Sequence, residues 1–275
     1  VSIPLYPNEH FYMITEEYEK LPKNLPTFRD PDTYLYMREY NKKLMIGIFE
    51  PDAKNAFKKT GKVPENFSFG EFKVDKNYVN MLHKLASKRI PKINELKIEK
   101  YFSGPESFTP DTNYLLGETA EIKNFFVCCG FNSIGIGSGG GAGKAVAEWM
   151  IKGHTTEDLF SLDIKRFEKF NSSLKFIKER VTESLGNLFK MHWPYKQLTT
   201  SRNIKLLPYH QNLKKLGACF GQMAGHERPM WFSKSKKPIY KYSYNKQNWY
   251  SSAKKESLST RKNLGLFELT PFVKF

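Results

Sequence analysis

The segment from Phe125 to Gly153 constrains the fold more than any other part of the chain. It opens with an apolar run, Phe125 to Cys129, that predicts a strand, and continues into a glycine-rich stretch from Gly130 to Gly143. We expect a loop over that stretch, because each glycine inside a helix or strand costs up to about 1 kcal/mol. The residues from Lys144 to Ile151 then predict a helix that ends at Gly153.

The glycine-rich loop between this strand and helix has two possible roles, and composition alone favours them equally. In one, backbone N–H groups and the positive end of the helix dipole face an electron-rich cofactor atom. In the other, the loop is a mobile surface segment. A phosphate-binding P-loop is excluded, because Ala145 follows Lys144 where a hydroxyl residue is required. Gly135 to Gly140 matches a dinucleotide fingerprint by letters, but the acidic residue expected about 20 positions later on a second strand is missing.

Composition describes a folded protein with a basic surface. The 275 residues are 40% hydrophobic and carry 44 Lys and Arg against 28 Asp and Glu. The lysines are spread along the chain without zinc-finger spacing or an RNA-binding motif, so we expect neither a nucleic-acid partner nor a metal site. No apolar run approaches the roughly 20 residues of a membrane span. Three cysteines, two of them adjacent at Cys128 and Cys129, favour a reducing compartment over a disulfide framework.

The first half of the chain predicts a sheet. Phe11 to Thr15, Tyr34 to Met37 and Leu44 to Phe49 read as strands, and the tight Asn41-Lys42-Lys43 connection predicts an antiparallel hairpin. Val79 to Ile90 has helical spacing and is followed by a proline that would end a helix.

The second half begins with an amphipathic helix predicted from Ile164 to Arg180, after a domain boundary near Asp163. From Met191 onward, proline-broken aromatic segments follow. Because the chain starts at Val1 without an initiator Met, we expect the sequence to begin inside a longer protein.

Two groups of side chains are candidates for a site. Tyr36 and Arg38 lie two apart on a strand and project from one face, where a phenol and a guanidinium together can hold a carboxylate. On pattern alone, a surface arginine beside a core tyrosine is the commoner arrangement. Glu9, His10 and Tyr12 form a titratable group at a strand start, where a lone histidine is more often structural than catalytic.

Five motifs occur together, in order and at a specific spacing, and this combination resembles the sarcosine and dimethylglycine dehydrogenase family. The resemblance runs over nearly the whole chain. The motifs are Asn8 to Tyr12, Gly104 to Asp111, Gly117-Glu118, Gly130 to Gly143 with Ala147-Glu148-Trp149, and Glu227 to Phe232.

This resemblance implies an α+β fold: the mixed or antiparallel sheet of a D-amino-acid-oxidase-like flavoprotein, followed by a small middle domain. Residues 1–163 would form the substrate-binding part with the last flavin-contact loop, and residues 164–250 the middle domain. Residues 251–275 would open an aminomethyltransferase-like, folate-binding domain, and the segment from Gln247 to Phe272 resembles that opening. The nucleotide-binding unit would lie upstream, so we expect this stretch alone to bind flavin weakly and to be inactive.

The family chemistry implies FAD as cofactor and an N-methyl amine such as sarcosine or dimethylglycine as substrate. An electron-transfer protein or oxygen would accept the electrons. Tetrahydrofolate would bind in the continuation of the C-terminal domain, and the resemblance implies the mitochondrial matrix as the location. Catalytic residues are left unassigned; Tyr36 and Arg38 are the candidates for the substrate carboxylate. The residues implied to contact the flavin are Phe131, Asn132, Ser133, Ile134, Gly135 and Ile136.

Two positions depart from related monomeric sarcosine oxidases. Gly104 stands where those enzymes have a flavin-linking cysteine, so covalent linkage through this position is excluded. Gly137 replaces a lysine that helps to bind carboxylate, which leaves the substrate open.

A non-catalytic alternative also remains open. The regulatory subunit of pyruvate dehydrogenase phosphatase shares this architecture, and Glu9 to Tyr12 and Ala147 to Met150 resemble it more than they resemble the two dehydrogenases. Gly104 to Asp111 instead resembles sarcosine dehydrogenase. The alternative predicts binding to the phosphatase catalytic subunit and no turnover, whereas an enzyme, which is the favoured interpretation, predicts turnover of an N-methyl amine.

Overall fold

A computed structural model describes residues 1–190 and 196–270. The chain divides into two compact units, residues 1–191 and residues 192–275. Each described helix is too short or too polar to cross a bilayer. The predicted α+β class, with mainly antiparallel sheets, is confirmed.

The first unit is built on a five-stranded antiparallel sheet in the order β2-β3-β4-β1-β5. The three strands predicted in the first fifty residues all form, as β1, β3 and β4, and β1 begins earlier than expected. The strands are β1 (Tyr6–Thr15), β2 (Phe28–Asp30), β3 (Leu35–Tyr40), β4 (Lys43–Ile48) and β5 (Ile98–Phe108).

The predicted hairpin joins β3 to β4 through a two-residue turn. Tyr40 pairs with Lys43, and the two residues between them, Asn41 and Lys42, have φ angles of 49° and 60°. Positive φ at both positions is the geometry of a type I′ turn, whose twist matches that of the flanking strands. The hairpin prediction is confirmed, and the turn fixes the register of both strands.

Alternation along β1 divides the unit into two layers. Phe11 and Met13 face a core that α1 (Lys76–Arg89) covers with Leu82 and Ala86. The predicted helix over this segment is therefore confirmed. Its first turn is capped by an aspartate carboxylate, and the following proline opens a short 3₁₀ helix.

The opposite face of the sheet packs against α3 (Leu174–Asn187). Ile177, Val181 and Leu185 of this helix are buried against Tyr6 and two phenylalanines of the sheet. Since α3 belongs to the first unit, the compact unit extends past the predicted boundary at residue 163. The three-part domain division stays a prediction.

The helix predicted from Ile164 to Arg180 is confirmed only from Leu174 onward, where α3 begins, and is wrong before that residue. Two 3₁₀ helices, Ile164–Arg166 and Lys169–Ser172, precede α3. Side chains interrupt the α-helical ladder here: the Asn171 amide oxygen, for example, accepts from the Glu168 N–H at 2.8 Å. Such local side-chain bonds compete with α-helical hydrogen bonding, which periodicity alone does not reveal.

The glycine-rich segment also differs from expectation. The predicted strand forms as β7 (Phe126–Cys129), paired with β6 (Leu115–Glu118), but α2 runs from Gly135 to Lys152 and contains six glycines. The predicted loop over residues 130–143 is therefore wrong beyond Ile134. Packing of the buried face of α2 outweighs the intrinsic cost of its glycines.

The second unit is small. Within residues 196–270, a three-stranded sheet in the order β8-β10-β9 is accompanied by two helices. The predicted motif from Glu227 to Phe232 forms most of β10, and the end of the predicted folate-domain segment, residues 271–272, lies outside the described residues. The elements are β8 (Lys205–Leu206), α4 (His210–Lys215), β9 (Ala218–Met223), β10 (His226–Phe232) and α5 (Tyr250–Lys262).

Candidate active site

A cavity of about 640 Å³ lies against the α3-side face of the sheet, between β1, β5 and the segment of residues 67–71. Antiparallel pairing puts His10 of β1 opposite Gly104 of β5, and Asn8 opposite Glu106. His10 and Glu106 are thus diagonal neighbours on one face, and both line the cavity. The rigid sheet therefore fixes the separation of an imidazole and a carboxyl group.

His10 is held by aromatic side chains. Its Nε2 lies 2.8 Å from the Tyr36 hydroxyl, and the Phe49 ring centroid lies 4.5 Å from that of the imidazole. Burial lowers the pKa of His10 to about 4, and it raises the pKa of Tyr36 further above its usual value. At neutral pH the pair is therefore an uncharged imidazole and a protonated phenol. Within residues 1–190 and 196–270, His10 Nδ1 has no hydrogen-bond partner.

A glycine on the intervening strand allows this pair to form. Tyr36 is on β3 and His10 on β1, so the tyrosine ring must cross β4. It does so over Gly47, where a Cβ atom would overlap the ring. A side chain at position 47 would therefore push the hydroxyl of Tyr36 away from His10.

Glu106 connects the cavity to the loop after β7. Ser133 Oγ donates a hydrogen bond to Glu106 Oε2 at 2.5 Å. Burial raises the pKa of the Glu106 carboxyl, while the hydrogen bonds from Ser133 oppose that rise. The carboxyl group thus faces the cavity on one side and the loop on the other.

Asn132 locks that loop in place. Its side chain is buried, donates to the Gly130 carbonyl at 2.6 Å and accepts from the Thr109 N–H at 2.9 Å. Asn132 and Ser133 both have positive φ, 49° and 68°, which asparagine tolerates better than most residues. The loop is therefore fixed to the rigid turn that contains Thr109, and it directs Ser133 toward Glu106.

The remaining residues of the predicted flavin-contact loop surround the start of α2. Phe131 stacks on Tyr114, with ring centroids 4.9 Å apart, whereas Ile134 and Ile136 are exposed. Gly135 begins the helix, whose first turn has no side-chain cap. Uncapped N–H groups and open space around Gly137 fit a planar, electron-rich group such as a flavin ring. Contact between this loop and flavin stays a prediction.

The structure separates the two residues predicted to bind a carboxylate. Tyr36 reaches the cavity through His10, but Arg38 is exposed and does not line it. The Arg38 guanidinium lies 5.2 Å from the Tyr40 ring centroid.

Sequence patterns do not identify two residues of the site, nor a buried acidic residue whose charge acts on Tyr36. A lone histidine at a strand start favours a structural role for His10, and the surrounding prolines favour a turn at Glu106. Glu50, at the end of β4, is 2% exposed and neither carboxylate oxygen has a partner among the described residues. Burial raises its pKa to about 8. An acidic residue directly after the apolar run Leu44 to Phe49 was the available signal.

Comparison with known families identifies this architecture. The model of the FAD dependent oxidoreductase family matches residues 1–149, which include every residue that lines the cavity. The chain belongs to the FAD-dependent oxidoreductase family. The model of the FAD dependent oxidoreductase central domain matches residues 152–206. The predicted flavoprotein family is thus confirmed.

Three curated relatives illustrate the similarity. The chain is 37% identical to 4-methylaminobutanoate oxidase (formaldehyde-forming) of Paenarthrobacter nicotinovorans, across 100% of this chain and 33% of that protein. It is 35% identical to mitochondrial sarcosine dehydrogenase of Mus musculus, over 85% of this chain and 25% of the relative. The chain is 31% identical to the mitochondrial pyruvate dehydrogenase phosphatase regulatory subunit of Mus musculus, over 100% of this chain and 32% of that protein. This FAD-dependent oxidoreductase chain thus spans about a quarter to a third of each relative.

Proposed function

We propose that the full-length protein containing this chain oxidises the N-methyl group of a secondary or tertiary amine. The observation that carries the proposal is the His10–Tyr36 pair in a cavity that Glu106, through Ser133, joins to the predicted flavin-contact loop. FAD, when bound, supplies the chemistry by accepting a hydride equivalent from the N-methyl carbon. The names of two relatives support this substrate class, because 4-methylaminobutanoate and sarcosine are both N-methyl amines.

The residues of this chain would bind and orient the amine. Neutral His10 lines the cavity, and Tyr36 holds the imidazole in one orientation through the 2.8 Å hydrogen bond. Residues 131–136 would hold the flavin ring. Arg38 does not line the cavity. Tyr36 is bonded to His10, which does line it, so the cavity favours a role for Tyr36 in orienting His10 over a substrate contact from Arg38.

Cellular context follows from the relatives alone. We infer the mitochondrial matrix from the names of the Mus musculus relatives, although the relative from Paenarthrobacter nicotinovorans is bacterial. Tetrahydrofolate in a continuation of the chain and an electron-transfer protein or oxygen as acceptor belong to the same proposal. Cell fractionation and identification of the one-carbon product test these points.

Anaerobic reduction of the bound flavin in the full-length protein tests the central proposal. Sarcosine, dimethylglycine and 4-methylaminobutanoate would be mixed with the enzyme, with glycine and 4-aminobutanoate as matched amines that lack the methyl group. We expect at least one N-methyl amine to abolish the absorbance of oxidised flavin while its unmethylated counterpart does not. Flavin that stays oxidised with every amine, together with binding of the phosphatase catalytic subunit, would support the regulatory function instead.

A further inference from the structure

The charge balance of the cavity is unequal. In the part of the chain that the structure describes, its lining contains two carboxylates, Glu71 and Glu106, and no lysine or arginine. Glu71 is neutralised by Lys100, whose Nζ lies 2.9 Å from its carboxylate. Glu106 instead accepts a hydrogen bond from Ser133, which carries no charge. The cavity therefore contains one carboxylate without a cationic partner among the described residues.

The surroundings of Glu106 suit an alkylammonium ion. His10 is neutral and cannot compensate the carboxylate. The aromatic rings of Phe67 and Phe69 form part of the remaining lining, and such rings attract cations through their faces. The Phe102 ring already has a cation beside it, because Lys100 Nζ lies 5.6 Å from its centroid. A cation would gain a charge-assisted hydrogen bond from Glu106, whereas an anion in the same place would be repelled.

We propose that Glu106 recognises the substrate as its ammonium ion, accepts the ammonium proton to leave the neutral amine that can lose a hydride, and selects cationic amines over neutral molecules of the same shape. This inference rests on the proposed function and deepens it by assigning the end of the substrate that enters the cavity. Any carboxylate of the substrate then lies away from Glu106. Ser133 positions the Glu106 carboxylate and, as part of the predicted flavin-contact loop, keeps the bound amine near that loop.

A purely structural role for Glu106 is the competing explanation, because its hydrogen bond to Ser133 also fixes the loop. Glu106→Gln distinguishes the two roles. The glutamine amide oxygen still accepts the hydrogen bond from Ser133, but the negative charge is removed. A structural role predicts little change, whereas cation recognition predicts a selective loss of affinity.

The experiment compares two probes of equal shape in the full-length, flavin-loaded protein. Trimethylglycine carries a quaternary ammonium group, and 3,3-dimethylbutanoate replaces that group with a neutral tert-butyl group. Dissociation constants come from the change in flavin absorbance on titration. We expect the wild type to prefer the cation and Glu106→Gln to weaken cation binding by about 10- to 100-fold. Binding of the neutral probe should change less than about threefold.

The double variant Glu71→Gln with Lys100→Gln is the matched control, because it removes a carboxylate from the same lining together with the lysine that neutralises it, and so leaves the net charge unchanged. It should leave the preference for cation over neutral probe within about threefold of wild type. Glu106→Asp, which keeps the charge, should retain part of the preference. Equal weakening of both probes in Glu106→Gln, or a wild type without preference for the cation, would overturn the inference.

The probe pair separates this inference from the proposed function, because neither probe has to be oxidised. A protein that discriminates the probes through Glu106 but is not reduced by any N-methyl amine would refute the proposed oxidation and retain cation recognition. A protein that is reduced by an N-methyl amine, with unchanged probe preference in Glu106→Gln, would retain the oxidation and refute the role of Glu106.

Discussion

Glu50 allows the energetics of the sheet to be tested through pH. Its carboxyl is buried at the end of β4 without a partner among the described residues, and burial raises its pKa from 4.5 to about 8. Because the folded-state pKa lies above the unfolded one, the protonated form is favoured in the folded protein. The destabilisation that ionised Glu50 causes is therefore absent below pH 4.5, grows as pH rises, and levels off above pH 8.

The magnitude follows from the size of the pKa shift. One pKa unit corresponds to about 1.4 kcal/mol, so ionisable Glu50 costs roughly 1 kcal/mol at pH 5, about 3 at pH 7 and about 5 at pH 9. Glu50→Gln removes the titration and keeps the shape of the side chain. We expect the difference in unfolding free energy between Glu50→Gln and wild type to grow by about 4 kcal/mol from pH 5 to pH 9.

Urea unfolding at pH 5, 7 and 9 measures this difference. Ile48→Val, two residues earlier on β4, is the control, because it removes one buried methylene without a titratable group and costs about 1 kcal/mol at every pH. Any constant cost of placing an unpartnered amide at position 50 cancels between pH values. A difference for Glu50→Gln that stays within about 1 kcal/mol across this range would refute the reasoning.

Three further substitutions test other contacts. Tyr36→Phe removes the hydrogen bond to His10. In the full-length protein it should lower kcat/KM for an N-methyl amine about tenfold while the flavin content stays unchanged. Unchanged kinetics would contradict a positioning role for Tyr36. Arg202→Ala leaves buried Glu227 without its cation and should lower the free energy of unfolding by about 3–5 kcal/mol in urea titrations. Arg202→Lys, which keeps the positive charge, should cost less. Equal losses in the two variants would argue against a stabilising ion pair. Gly186→Ala places a Cβ against the backbone of a neighbouring loop and should cost about 1–3 kcal/mol; an unchanged melting temperature would show that the loop yields freely.

Local sequence patterns were sufficient to predict those strands, turns and helices whose conformation depends on residues close in the sequence. Alternating apolar residues predicted the strands, and Asn41 and Lys42 form the hairpin turn. The helix before Pro91 followed from apolar spacing and from the proline that ends it. These features depend on neighbours a few residues away, which a single sequence contains.

The site depends on strand order, which those patterns do not contain. His10 and Tyr36 meet only because β4 lies between their strands and has Gly47 at the crossing. Glu106 joins them through the register of β1 against β5. Before the pairing is known, His10 resembles any strand histidine and Glu106 any turn residue. The Tyr36–Arg38 pair was chosen for sharing a strand face, and sharing a face did not bring Arg38 into the cavity lining.

The glycines of α2 divide one helix into two halves with different opening energies. Val146 and Trp149 anchor the C-terminal half in buried surroundings, whereas five of the six glycines, all in the N-terminal half, have open space where a Cβ would lie. Glycine gives the unfolded segment more conformational entropy, so the N-terminal turns open at lower free energy than the C-terminal turns. Amide hydrogens of the N-terminal turns of α2 should therefore exchange with solvent faster than those of its C-terminal turns. A cofactor bound at the first turn would slow the exchange of the N-terminal amides.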